Sequence, residues 1–147
     1  MADESDIDAR VRASFAKQTI MTTIGATVVA VRPGEVEIVL PFAEHLLQQH
    51  GFIHAGVVAT IVDSACGYAA LTVMPREAAV LTTEFKLHLL SPAKGERLRA
   101  VGRVVRGGKK LVILLGEVFA EQGTSSKQVA LMTTTMMVVD GGTGLRD

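Results

Sequence analysis

Cysteine is nearly missing from this chain. Cys66 stands alone, so no internal disulfide can form and a reducing compartment is expected. Net charge is missing too, formally +0, which removes the electrostatic reason to expect nucleic acid as a partner. A basic, apolar leader is absent: the N-terminus carries Asp3, Glu4, Asp6 and Asp8, the opposite of a secretory signal. No apolar run of membrane length is unbroken, because Gly56 to Met74 contains Thr60, Asp63 and Ser64. A cytoplasmic protein with no membrane partner is expected. Tryptophan is absent and aromatics make up 4%, so an aryl-stacking pocket is not indicated, although Phe42, Phe52 or Tyr68 can line one.

What remains is apolar. Hydrophobic residues make up 48% of 147 and the mean hydropathy is +0.35, which fits one buried domain over residues 1–147. Residues 5–19 read as a helix: Ser5 can cap it, and Ile7, Val11 and Phe15 recur every four residues. It forms an N-terminal extension over about residues 1–15. Residues 19–24 read as a connector. Residues 25–32 and 35–41 read as a hairpin around Pro33-Gly34, with Val36, Ile38 and Leu40 facing one way. A long loop, 42–54, holds three of the four histidines and hints at function.

A helix follows from Ala55 to Val73, stopped by Pro75 and apolar nearly all round. Its small face (Gly56, Thr60, Asp63, Gly67 and Ala70) would let another backbone approach. After Pro75 the period changes. Strands are expected over 79–91, 96–106, 110–121 and 127–140, and the tail 141–147 reads as flexible. In the first of these strands Leu81, Thr83, Phe85, Leu87 and Leu89 alternate with Thr82, Glu84, Lys86 and His88. One long helix and about six mostly antiparallel strands give an α+β domain, a curved sheet wrapped around the helix. A second copy pairing edge to edge would remove two open edges.

The sharpest feature is Asp63, the lone charge between Val57 and Met74 and two turns inside the helix. A carboxylate there is costly unless paired or used. It can serve as general base or nucleophile, or merely bond across a dimer seam. Ala55 and Gly56 stand at the helix start, where free N–H groups and the dipole suit a polarised carbonyl, although Gly56 can also serve close packing alone. His54 can be a ligand, an acid or a structural group. The histidines show no metal spacing and there is no cysteine cluster, so no metal is expected. From Lys86 to Lys110 there are eight basic residues and one acid, a balance of 8 − 1 = +7. They read as solvated strand faces or as a docking surface for a small phosphorylated ligand.

Three motifs in order give a resemblance: His54-Ala55-Gly56 followed by Asp63, then Ser91-Pro92-Ala93-Lys94, then Gly107-Gly108-Lys109. Over about residues 15–140 the chain resembles hotdog-fold acyl-CoA thioesterases of the phenylacetate-degradation PaaI-like group. The resemblance implies a hotdog homodimer, often paired again into a tetramer, with active sites at the dimer interface. One subunit would supply the loop and helix start, the other the carboxylate. It implies an acyl-CoA substrate and no separate cofactor, coenzyme A being part of the substrate. Gln48 stands where the family has Asn, and Ala55 replaces the first Gly of the family's pair. Thr82 matches a hydroxyl on the next strand. Arg106, with Lys109 and Lys110 beside it, aligns with a basic residue near the CoA phosphates. The activity implied is hydrolysis of an acyl-CoA to free acid and CoA. A catalytically idle acyl-CoA binder and a hotdog hydratase or dehydratase are the alternatives.

Overall fold

The structure, a computed structural model, describes residues 3–145 and 147. Helix α1 (Glu4–Phe15) starts at Asp3, not Ser5: the Ser5 hydroxyl donates to the Asp3 carboxylate instead of capping. Val11 and Ser14 are its buried residues. The expected connector is a short helix, α2 (Thr19–Ile24), because Met21 and Ile24 turn into the core and Gly25, at φ 84°, ends it.

Strands β1 (Thr27–Arg32) and β2 (Glu35–Pro41) form the hairpin, with Val36, Ile38 and Leu40 fully buried. The 42–54 loop tightens through one 3-10 turn, Glu44–Leu46, and an isolated bridge between Leu47 and Ile53. Helix α3 (Ala55–Leu71) crosses the sheet. It ends two residues earlier than the sequence implies, because the Thr72 hydroxyl turns back onto the Ala69 carbonyl. Strands β3 (Ala79–Leu89), β4 (Arg97–Gly107), β5 (Leu111–Gln122) and β6 (Ser125–Val139) complete one antiparallel sheet in the order β1-β2-β4-β5-β6-β3. This six-stranded sheet curved around one long helix is the hotdog architecture. The tail carries a 3-10 turn at Gly141–Thr143, capped by Asp140, and Asp147 lines a cavity beside α3.

Two local features seat the helix. Gly102 on β4 pairs with Gly116 on β5 directly beneath Val62, Ala65 and Cys66. A Cβ at Gly102 would lie 2.4 Å from the Ala65 carbonyl carbon, so backbone meets backbone there. The close approach expected on the helix's small face therefore occurs on the opposite face, against glycines of the sheet. On the small face, a Cβ built at Gly67 would come no nearer than 4.0 Å to another element, at the Val80 side chain.

The second feature is a bulge at Thr83. Register shifts between Thr82 and Glu84, so Thr82 opposes buried Met136, whereas Phe85 and Leu87 oppose buried Thr134 and Met132. A bulge shifts the side-chain alternation by one residue. Thr82 thus shares the helix-facing side with Phe85, Leu87 and Leu89, and Leu81 goes to the outer face beside Met137. Simple alternation misassigned both Leu81 and Thr82.

The two sheet edges differ. At β1 the Arg12 guanidinium donates to the Val28 carbonyl at 2.9 Å, so α1 covers that edge. At β3 nothing among the described residues covers the edge. Leu81, Phe85 and Leu89 there are 46%, 46% and 55% exposed.

The basic run finds partners in the fold. Arg97 and Arg99 pair with Glu121, Arg99 also approaches Glu37, and Arg103 pairs with Glu35 and Glu117. These glutamates lie on β2 and β5, on either side of β4, where a local count cannot see them. Arg97, Arg99 and Arg103 of β4 form a cross-strand ion-pair lattice, and Arg106 stands outside it.

Candidate active site

Asp63 projects from the small face of α3 towards β3, where the Thr82 hydroxyl donates to its Oδ1 at 2.8 Å. Met136 Sδ also lies 3.1 Å from that hydroxyl. One proton cannot serve both, and the charge-assisted bond to the carboxylate is the stronger. Burial raises the Asp63 pKa above the ordinary 3.8, and the Thr82 bond opposes part of that shift. A base tuned upwards in this way is better matched to proton abstraction near neutral pH.

Asp63 and Thr82 line a cavity of 330 Å³ together with Ser14, Lys17, Gln18, Ser64, Tyr68 and Asp147. Its far wall is polar. Gln18 Nε2 donates to the Tyr68 hydroxyl at 2.9 Å, Ser14 Oγ lies 3.2 Å from the same oxygen, and Ser64 Oγ donates to Gln18 Oε1 at 3.3 Å. Tyr68 is buried, with Phe15 tilted against its ring. Burial pushes the Asp147 carboxyl up, and Arg10 and Lys17 pull it back. Its Oδ2 is buried with no hydrogen-bond partner among the described residues. Ser14 and Gln18 carry no signal in the sequence, because the partners they meet on α3 lie 46 to 54 positions away; Tyr68, one of three aromatics offered as pocket-lining, does line this cavity.

The other predicted site residues gather elsewhere. Gln48, His54 and Ala55 line a second cavity of 460 Å³ with Leu89 and Leu90. His54 is the N-cap of α3: its Nδ1 accepts the Gly56 N–H at 2.8 Å. That explains the glycine, since a Cβ there would sit 3.1 Å from the imidazole nitrogen. It also corrects the expectation of two free amides. The Gly56 N–H is engaged, and the Ala55 N–H is the one that remains without an acceptor among the described residues. Gln48 Oε1 accepts the backbone N–H groups of His50 and Phe52, which leaves its Nε2 hydrogens for a ligand.

Asp63 and Ala55 are eight residues apart on one helix, about 12 Å along its axis. One chain cannot bring both to one carbonyl. Arg106, Lys109 and Lys110 are exposed and touch neither cavity. Thr82 pairs with Met136 and Met136 with Val112, so the turn before Val112 lies two strands, about 10 Å, from Thr82. The basic turn is at the Asp63 end of the sheet.

Among the described residues no group of three or more His, Cys, Asp or Glu could hold a metal, and no helix is long and apolar enough to cross a membrane. Burial pushes the Cys66 thiol up to about 12, which makes it a small buried side chain and no nucleophile.

A hotdog sheet with a carboxylate on its central helix and a polar loop at the helix start defines a class of thioester-handling folds. The chain belongs to the thioesterase superfamily, whose model matches residues 50–127. A thioesterase family protein of Silicibacter pomeroyi is 45% identical, with TM-score 0.90 over 92% of this chain and 99% of that one. A Halobacterium salinarum protein, provisionally named an esterase, is 30% identical over 111 residues, 72% of this chain and 73% of its own length. The Escherichia coli PaaI protein of the phenylacetic acid degradation operon shares the fold: TM-score 0.85 at 18% identity, over 95% of this chain and 98% of that one. Membership and these relatives support thioesterase activity for this chain in general terms.

Proposed function

We propose that the protein is an acyl-CoA thioesterase whose active site forms between two copies of the chain. The observation that carries this reading is the separation just described. A half-buried, hydroxyl-bonded carboxylate lies in one cavity, the donors suited to a carbonyl lie in another, and the uncovered β3 edge runs past both.

Two β3 edges pairing antiparallel about a two-fold axis bring the Leu89 end of one strand against the Leu81 end of the other. The cavity holding Gln48 and Ala55 of one copy then faces Asp63 and Thr82 of its partner. Phe85 and Leu89, half exposed in one chain, become buried in the pair.

In this site the thioester carbonyl accepts hydrogen bonds from Gln48 Nε2 and the Ala55 N–H. Asp63 of the other copy takes a proton from water, with Thr82 fixing the carboxylate's orientation. The water oxygen adds to the carbonyl carbon and the oxyanion sits on the two donors. Collapse breaks the carbon–sulfur bond and expels CoA as thiolate. The proton held by Asp63 returns to the sulfur, leaving the carboxylic acid. Lys109, Lys110 and Arg106, at the Asp63 end, supply positive charge for the CoA phosphates.

The test is thiol release from an acyl-CoA panel, with a complementation arm. Asp63→Asn should lose at least about 100-fold, the scale of a general base. Gln48→Ala should be impaired through the other half of the site. Mixed and allowed to exchange, the two variants regain about a quarter of wild-type activity, because half the dimers carry one intact site. No recovery on mixing would place both residues in one chain's site. Tight acyl-CoA binding without thiol release would favour an idle binder, and water addition to enoyl thioesters would favour a hydratase.

A further inference from the structure

The two cavities differ in chemistry. The Asp63 cavity carries charge: Asp63, Asp147 and Lys17 line it beside several hydroxyl and amide groups. The Gln48 cavity is lined by no carboxylate, lysine or arginine. Its polar lining residues, Gln48, His54 and Ser91, are partly or fully exposed, whereas its buried residues, Ile53, Val58, Ala93 and Val129, are all apolar. A second bulge puts Val129 there. Val118 pairs with Ala130 and Phe119 with Gln128, so Val129 has no partner on β5. Ala130 is already buried in the core, and regular alternation would turn Val129 outwards. The bulge turns it in instead, at 1% exposure, while its carbonyl accepts the Leu90 N–H at 2.8 Å.

We infer that the acyl group lies in the Gln48 cavity, that Val129 and Val58 at its floor set the chain length accepted, and that the preferred acyl group is an uncharged aliphatic chain. The inference rests on the thioesterase reading above and names the substrate class of that site. The direction of the substrate decides between the cavities. In that reading the carbonyl sits at the seam and the basic turn lies at the Asp63 end, so CoA approaches from the Asp63 side. Its pantetheine arm, with two amides and a hydroxyl, finds partners along the polar cavity. The acyl group continues the other way, past the Ala55 amide. Val58 is three residues from Ala55, about 4.5 Å along the helix axis, so the floor lies roughly one turn from the carbonyl. An alkyl chain there covers apolar surface. In the Asp63 cavity the same chain would take water from Asp147 and Lys17. A terminal carboxylate in the Gln48 cavity would meet no lysine or arginine among the lining residues.

The experiment measures kcat/KM over saturated acyl-CoAs of increasing length and for suberyl-CoA, the ω-carboxylate counterpart of octanoyl-CoA. Wild type should gain about fourfold per methylene, the transfer scale of one buried CH2, until the chain meets the floor. Octanoyl-CoA should exceed suberyl-CoA by at least about tenfold. Val129→Ala and Val58→Ala should move the optimum to longer chains, and Val129→Leu to shorter ones. A general packing defect lowers all lengths together and cannot move the optimum in opposite directions. Gly67→Ala is the counterpart in the other cavity: its methyl meets no other element nearer than 4.0 Å, and it should leave the optimum in place. Binding of the same series to the Asp63→Asn protein, followed by calorimetry, should show the same length dependence. An optimum unmoved by the floor substitutions, one moved by Gly67→Ala, or suberyl-CoA matching octanoyl-CoA overturns the inference. Thiol release from no acyl-CoA, with the length dependence of binding intact, overturns hydrolysis and leaves the acyl pocket standing.

Discussion

Replacing Gly102 with alanine should cost this protein activity and stability by the same displacement. The new methyl group would lie 2.4 Å from the Ala65 carbonyl carbon, 2.5 Å from its oxygen and 2.5 Å from the Cys66 nitrogen. Ordinary contact begins near 3.4 Å, so the gap to be opened is 3.4 − 2.4 = 1.0 Å. Both sides are backbone, one in a central strand and one in helix α3, and neither can rotate away. Overpacking of this kind costs about 1–3 kcal/mol, which is about 2–12 °C in Tm for a chain of this size. Asp63 stands two residues from Ala65 on the helix that must rise. A displacement of about 1 Å at a reacting group costs about 100-fold. Thermal melts and thiol-release assays well below Tm separate the two effects, because the enzyme remains folded while its rate falls. Gly116→Ala is the control. Its methyl would meet the side chains of Val62, Cys66 and Met132, which can adjust, so smaller losses are expected. A Gly102→Ala protein that melts and turns over like wild type would refute the claim that this glycine sets the height of the helix.

Further outcomes follow from the site. Since burial raises the Asp63 pKa and the proposed mechanism requires the carboxylate, kcat/KM should rise with pH along an acid limb centred above 3.8, and the limb should vanish in the residual activity of Asp63→Asn. The same shift fixes a stability sign. A raised native pKa favours the folded state below the ordinary carboxylate value, and that advantage is lost as pH rises through the native value. Asp63→Asn should therefore be more stable than wild type at neutral pH, by roughly 0.5–2 kcal/mol. Melts across pH should show the difference shrinking towards pH 4. His54→Ala removes the cap from the Gly56 N–H and should cost about 1 kcal/mol, while leaving the acid limb where it is.

Elements whose signals are local were readable from the sequence. Alternation marked β2, and an apolar run closed by Pro75 marked α3. The one charge in that run pointed to Asp63, with Thr82 added by family resemblance. What escaped depends on partners distant in the chain. Arg97, Arg99 and Arg103 look like a free basic patch until Glu35, Glu37, Glu117 and Glu121 arrive from neighbouring strands. Thr83 has no feature that announces a bulge, yet the bulge is what turns Thr82 towards Asp63. The polar wall of Ser14, Gln18 and Tyr68 joins two helices that the sequence leaves unrelated, and Gln18 precedes a stretch that reads as a mere connector.

Arg10 gives the N-terminal helix a role that its weak apolar stripe does not suggest. Its guanidinium donates to the carbonyls of Leu71, Met74, Pro75 and Ala78, at 3.4, 3.3, 3.1 and 2.8 Å, where α3 ends and the chain turns towards β3. One side chain thereby rivets the amino-terminal segment to the hinge between the helix bearing the acid and the strand bearing its hydroxyl partner. Trimming the first seventeen residues as a dispensable appendage would strip four main-chain oxygens of their donor and unroof one side of the chamber behind Asp63.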